Sequence, residues 1–528
     1  MLGLELIVVL GVAILLCTVA GHHLRVAPPV LLLCVGVLLG FAPALREVHL
    51  PPEAMLLLFL PALLYWESLT TSLREIRRDL RGIVLVSTVL VIVTAWAVAA
   101  VMHALGLPWG PAWVLGAAVA PTDATAVEVV ARLLPRRNLT LLRAESLVND
   151  GTALVVYGLA VGVTVGSEHF SVPRVGGLFL LSYAGGIAAG ALTAWLATLV
   201  RRHLDQPVLA TTAVVLVPFV AFLLAEEIRA SGVLAVVACG LIMSQVGPRV
   251  GRPDARLMAQ EFWTVATFLL NGVLFVLVGL QVQSAVRGLT SSDLRHALIA
   301  VAAVSVVLVV VRYAFTFLAV RVIRLLDRRP QQRLRRMNER ARVVGALSGF
   351  RGAVSLAVAL SVPTALDSGE PFPGRDVIVF VTAGVIVVTL VVQGLLLPRV
   401  VRWARLPRDN SVEAERVLAG TTATEAALKV LPQVAAELGT DPDVVERLRN
   451  EYETHLRAVR THGNGTDDDP DLRHNRQYHA LRLALLAHKR AAVVRLRDER
   501  DIDDTVLRQV QRRLDIEEVR LTQRETTH

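Results

Sequence analysis

RAESLVNDGTALVVYG, residues 143–158, lies inside a long apolar stretch. Hydrocarbon offers no water to solvate Glu145, Asn149 or Asp150. Ionisable groups at membrane depth are costly and mark functional sites. At helical spacing Glu145 and Asn149 stack one turn apart, as do Ser146 and Asp150, so this helix carries two adjacent polar stripes.

The surrounding chain sets the context. It has 528 residues, is 54% hydrophobic and has a mean hydropathy of +0.56, too apolar for an ordinary soluble domain. Apolar runs of about 17–25 residues recur from Leu2 to Val400, each able to span a bilayer. Spans are expected at 2–20, 28–42, 53–70, 82–105, 110–131, 141–165, 175–200, 207–226, 231–246, 260–281, 297–320, 343–362 and 377–400. After Leu406 the composition turns to mixed charge. The expectation is an all-α polytopic membrane domain over 1–405 with about 13 transmembrane helices, and a cytoplasmic helical C-terminal domain over 406–528.

The net charge of +9 does not point to nucleic acid, because the arginines of the membrane part fall mainly in short loops between apolar runs. Odd-numbered loops hold about 23 arginines, including Arg74, Arg77, Arg201, Arg202 and the dense 321–342 cluster, against about 6 in even-numbered loops. Cytoplasmic loops carry the positive excess, which places the N-terminus outside and the tail in the cytoplasm. The three cysteines, Cys17, Cys34 and Cys239, lie in apolar spans with neither disulfide nor zinc spacing. The N-terminus carries Glu5 and no basic flank, so it is expected to be a first transmembrane helix rather than a signal peptide.

Two other spans break their own helical pattern. The fifth, WVLGAAVAPTDATAVEVVARLL (113–134), contains Pro121, which removes a backbone donor. Thr122 and Asp123 follow, either merely capping a kink or opening the helix so that unwound carbonyls face an ion. The twelfth, VVGALSGFRGAVSLAVALS (343–361), has Gly345, Gly349, Gly352 and a mid-membrane Arg351. A buried arginine needs a carboxylate, for which Glu145, Asp123 and Asp150 are the candidates. The interrupted spans lie seven apart. Helices 1–6 and 8–13 are therefore expected to form two inverted six-helix repeats with crossed broken helices, the arrangement that marks substrate sites in secondary transporters.

At these residues the chain resembles the bacterial branch of the monovalent cation:proton antiporter family of sodium/proton exchanger type. The matching stretches include FLPALLYWESLTTSLR (59–74), APTDATAVEVV (120–130), ESLVNDGTALVVY (145–157), FLLNGVLFVLVGLQV (268–282) and GFRGAVSLAVALS (349–361), and the tail over 485–521 resembles that branch too. The resemblance implies that Asp150 binds cation and proton alternately. It implies that Asp123, Ser146, Asn149 and the backbone carbonyl of Thr122 help to coordinate the cation, with no permanently bound metal. It implies that Glu145 pairs with Arg351. Asn149 stands where electrogenic relatives carry a second Asp, so exchange should be electroneutral. Glu67 is the acidic neighbour from the third span, although its register from Pro61 is offset by one, and Asn271 is a polar neighbour of structural character. Partners are Na+ (or K+), H+, membrane lipid and a second copy as homodimer, with no cofactor. The role implied is pH and sodium homeostasis at the bacterial plasma membrane.

Rival readings are a K+/H+ antiporter, a cation channel and an intramembrane aspartyl protease. The protease would use Asp123 and Asp150 as its dyad but lacks the motifs of such enzymes and has no role for Arg351. Glu128 either faces a cytoplasmic funnel or snorkels, and His22 and His23 are expected to be interfacial. GGIAAG (185–190) has the small-residue spacing that packs helices. In the tail, VEAERVLAGTTATEAALKVL and HALRLALLAHKRAAVVRLRDE read as helices, and THGNGTDDDPDLRHN (461–475) reads as a linker.

Overall fold

A computed structural model describes residues 2–24, 28–41, 52–123, 136–166, 172–250, 252–287, 291–326, 339–406, 411–462, 470–499, 501, 506–507, 510–511 and 513–518. Outside it fall the second part of the fifth span with Glu128, the loop arginines Arg25 and Arg46, most of the 321–342 cluster, and linker residues 463–469. Among the described residues the regular elements are helices, beside one isolated bridge between Ala365 and Pro371. Helices satisfy their own backbone groups, as hydrocarbon requires. The chain divides into two compact units, Met1–Arg408 and Asp409–His528.

The first unit runs α1 (Leu2–Leu24), α2 (Pro28–Leu39), α3 (Pro52–Thr70), α4 (Leu73–Ala104), α5 (Trp109–Val119), α6 (Arg136–Val165), α7 (Val172–Arg202), α8 (Pro207–Glu227), α9 (Gly232–Val250), α10 (Pro253–Arg287) and α11 (Ser291–Leu326). It ends with two short helices, α12 (Glu339–Leu347) and α13 (Ala353–Leu360), then α14 (Arg375–Val388) and α15 (Gly394–Ala404), joined through a π-helical turn at Thr389–Gln393. Among the described residues, seven helices are long and apolar enough to cross a membrane by length and composition, and shorter apolar helices such as Pro28–Leu39 and Trp109–Val119 accompany them. Exposed Ile7, Leu180, Trp195, Leu298 and Val306 present the apolar outer face of a multi-pass membrane protein.

Small residues let the backbones close up where lipid supplies no hydrophobic drive. A Cβ on Gly36 of α2 would overlap the Val276 carbonyl of α10, and one on Gly279 would overlap the Leu33 carbonyl in return. In GGIAAG, Gly186 and Gly190 bring α7 against Ser231 and Ala235 of α9, so that stripe packs within the chain.

Among the described residues three large apolar cores result. One joins α1, α2, α10, α13 and α14; a second joins α4, α5, α11 and α14; a third joins α3, α7, α8 and α9. Polar side chains of the segment after α5, of α6 and of α13 meet between them. The expected Pro121 break is present: α5 ends at Val119, and residues 120–123 are not helical. The twelfth window is interrupted at 348–352. The thirteenth contains a wide turn that its periodicity does not announce, with Thr389 and Gln393 buried in it.

The second unit contains α16 (Ser411–Leu438), α17 (Pro442–His462) and α18 (Pro470–Asp498). Leu486 of α18 packs on Leu514, flanked by pairs of Arg482 with Glu517 (2.9 Å) and Arg490 with Asp515 (2.5 Å) and Glu518. Helix takes both ends of the expected linker. Proline is tolerated in the first turn, where its missing N–H has no partner to lose, so PDLRHN begins α18 instead of a loop.

Candidate functional site

The interruptions of the fifth and twelfth spans face each other. The Asp123 amide donates to the Phe350 carbonyl at 2.8 Å. Arg351 Nε donates to the Val119 carbonyl at 2.9 Å, and its Nη1 to the Gly349 carbonyl at 2.5 Å. Val119 closes α5, so its carbonyl lacks the next turn's N–H and needs such a donor. The Arg351 amide donates to Thr389 Oγ1 at 3.4 Å, at the start of the wide turn. Gly352 is the close approach in this crossing. Its backbone is extended, and a Cβ there would overlap the Asp123 carboxylate, so only glycine leaves that side chain its place.

Helix α6 supplies the opposite wall. Ser146 Oγ donates to the Thr122 carbonyl at 2.7 Å, and Asn149 Nδ2 donates to Thr122 Oγ1 at 3.1 Å. The two stripes of α6 thus hold the open strand of the fifth span through its Thr122. Ser146, Asn149 and Asp150 are buried, and Asp123 is half-buried. Asn149 Oδ1 is buried with no hydrogen-bond donor among the described residues.

Thr122, Asp123, Ser146 and Asp150 line one cavity, roughly 640 Å³ of non-atom space counting its mouth, whereas Asn149 lies behind Thr122 and is not among its lining residues. Asp150, Asp123, Ser146, Thr122, Glu67 and Asn271 supply polar groups, and Phe59, Leu64 and Phe275 supply apolar walls. Buried Ser355 of α13 also lines it, although nothing in its sequence setting marks it. Three carboxylates, hydroxyls and the Thr122 carbonyl form a hard-oxygen set suited to a small cation. Among the described residues no group of three or more His, Cys, Asp or Glu is placed to hold a resident metal.

Glu145 makes its ion-pair contact with a residue other than the expected Arg351, which still lies within reach of the Glu145 charge. Glu145 Oε1 lies 2.8 Å from Nη1 of Arg312, in the middle of α11. Arg312 Nε also donates to the Gly345 carbonyl at 3.0 Å, near the end of α12. Arg351 instead directs its guanidinium at the two carbonyls of the crossing. The reason is geometric: Arg351 sits in the interruption, where unsatisfied carbonyls are within reach, whereas Arg312 comes from α11, which packs on α12, and its long side chain reaches Glu145. The signal for Arg312 was present as a lone cation amid VSVVLVVVRYAFTFLAV.

Comparison with known proteins agrees with this architecture. The family described as "Sodium/hydrogen exchanger, transmembrane" matches residues 9–403. A Mycobacterium tuberculosis protein named an uncharacterized Na(+)/H(+) exchanger is 47% identical over 523 residues, 98% of this chain and 96% of its own length. The Na(+)/H(+) antiporter ApNhaP of Aphanothece halophytica is 31% identical over 406 residues, 76% of this chain and 74% of its own. The solved structure of the sodium proton antiporter MjNhaP1 from Methanocaldococcus jannaschii shares the fold, with TM-score 0.58 and 19% identity over 76% of this chain and 99% of that one. The matched region contains both interruptions and all the cavity's polar residues: the chain belongs to the sodium/hydrogen exchanger family.

Proposed function

We propose that the chain is a secondary active antiporter that exchanges Na+ for H+, one for one, across the bacterial plasma membrane. The family consists of transporters, not enzymes. The observation that carries the reading is the placement of Asp150, Asp123, Ser146 and Thr122 around one cavity, where the two interruptions meet.

Asp150 is the carboxylate shared by both ions. With a proton on it, the cation loses its strongest ligand; with a cation beside it, the proton is displaced. Asp123, Ser146 and the Thr122 carbonyl complete an oxygen shell for the bare ion. Exclusive occupancy combined with alternating access gives exchange without a separate proton wire. The apolar walls at Phe59, Leu64 and Phe275 disfavour a charged, empty site from crossing. Asn149 adds no second titrating group beside Asp150, so one charge moves each way and exchange is electroneutral.

The remaining features fit a family pattern of two inverted repeats whose broken helices cross at the ion site. The arginine-rich loops place the N-terminus outside and the tail in the cytoplasm, and the protein works as a homodimer in pH and sodium homeostasis. In proteoliposomes holding a pH dye, external Na+ should alkalise the lumen, with K+ much less effective. An equal or greater response to K+ would move the assignment to K+/H+ exchange, and cation entry without lumen alkalisation would identify a channel.

A further inference from the structure

Arg201, at the end of α7, is half-buried, and its Nε is fully buried with no hydrogen-bond acceptor or carboxylate among the described residues. Its Nη1 lies over Gly247 of α9, where an ideal Cβ would stand 3.8 Å away. The titratable groups within electrostatic reach of it are the Tyr65 phenol and the guanidinium of Arg256, at the start of α10. A buried guanidinium with no carboxylate of its own is unfavourable unless an anion joins it, and Arg201 is such a group among the described residues.

The same region holds two more unmatched donors. The Tyr65 hydroxyl of α3 and the Trp263 indole N–H of α10 are buried, and neither has an acceptor among the described residues. Their rings touch, with centroids 5.5 Å apart. Buried donors are nearly always satisfied in native proteins, so a cluster of three asks for an acceptor the chain does not supply.

We propose that the inner ends of α7, α9 and α10 form a binding site for a phosphate-type oxyanion, supplied by the headgroup of an anionic phospholipid. Arginine's planar fork matches phosphate oxygens in pairs. With the orientation proposed above, on which this step rests, the arginine-rich ends of these helices face the leaflet where anionic lipids concentrate. Trp195 and Leu199 of α7 and Leu257 and Phe262 of α10 are exposed beside the arginines and offer apolar surface for the acyl chains. That surface is what favours a lipid over a soluble anion.

The test is thermal unfolding of the purified full-length protein in a neutral detergent, titrated with phosphatidylglycerol, phosphatidylcholine or inorganic phosphate. Phosphatidylglycerol should raise the Tm saturably while phosphatidylcholine does not. The half-saturating concentration should rise at least tenfold in Arg201→Ala and stay at the wild-type value in Arg202→Ala, which alters an exposed neighbour. Should Arg201→Ala fail to fold, Arg201→Lys and Tyr65→Phe keep the test: each should weaken the lipid response severalfold. A phosphatidylglycerol response that is the same in wild type and the Arg201 and Tyr65 variants would overturn the proposal. An Arg201-dependent rise with inorganic phosphate equal to that with phosphatidylglycerol would overturn the lipid assignment.

Discussion

Arg312 Nη1 lies 2.8 Å from Glu145 Oε1, and the same guanidinium holds the Gly345 carbonyl at 3.0 Å through Nε. One side chain of α11 therefore ties the ion-site helix α6 to the last turn of α12. Removing it strands Glu145, whose side chain is only 20% exposed. Breaking a buried pair from one side costs about 3–5 kcal/mol, and partial exposure of Glu145 puts Arg312→Ala at the lower end. A fall in Tm of several degrees should follow, and Glu145→Gln in the same chain should recover part of it. Independent, additive losses in the double variant would separate the two residues energetically.

The glycines of the twelfth span carry opposite expectations. A Cβ at 352 overlaps the Asp123 carboxylate, whereas one at 345 meets nothing within 4 Å. Overpacking of this kind costs about 1–3 kcal/mol and here displaces a cavity group, so Gly352→Ala should cut exchange at least tenfold. Gly345→Ala, inside α12, should be neutral or gain up to about 1 kcal/mol from helix propensity. Dye-monitored flux and Tm on both variants check this; similar behaviour of the two would contradict it.

The sequence made the apolar windows legible because a bilayer imposes their length. The polar residues of the fifth-span break and of α6 were legible because Asp123, Ser146, Asn149 and Asp150 have no place in hydrocarbon without a purpose. Partnership was harder to read. Arg351 called for a carboxylate on charge grounds, yet its interruption exposes carbonyls that satisfy it. Arg312 became Glu145's partner only through a tertiary side-chain contact between α11 and α6. Ser355 looked like any small residue of an apolar helix until α13 was set against the cavity. The wide turn at Thr389–Gln393 depends on a tertiary demand, the Arg351 amide, that no local pattern encodes.

Asn149 bears on stoichiometry. Asn149→Asp places a second acid beside Asp150 and replaces the Nδ2 donor to Thr122 Oγ1, a bond the threonine hydroxyl can restore by donating instead. Exchange by this variant should become sensitive to an imposed membrane potential, while the wild type stays insensitive. Flux in potassium- and valinomycin-clamped vesicles measures both. A potential-insensitive variant that still transports would remove Asn149 from the stoichiometry argument.

In the tail, the hydrogen bond from Arg482 holds the Glu517 carboxyl below its ordinary value of 4.5, helped by the nearby charge of Lys489. A depressed folded-state pKa gives stability that is complete above the unfolded value and is lost as pH falls through the folded one. Packing of α18 on the segment around Leu514 should therefore loosen slightly below pH 4.5 and hold at neutrality. Hydrogen exchange of the full chain should show that loss of protection on acidification, and Glu517→Gln should show it already at pH 7.

The central claim is that Asp150 alternately holds the proton and the cation. Asp150→Asn, reconstituted beside the wild type in vesicles containing a pH dye, tests it most directly, with Tm confirming that the variant is folded. External Na+ should alkalise the wild-type lumen and leave the Asp150→Asn vesicles at the protein-free background. A variant rate within about twofold of wild type, a difference worth only about 0.4 kcal/mol, would contradict the account.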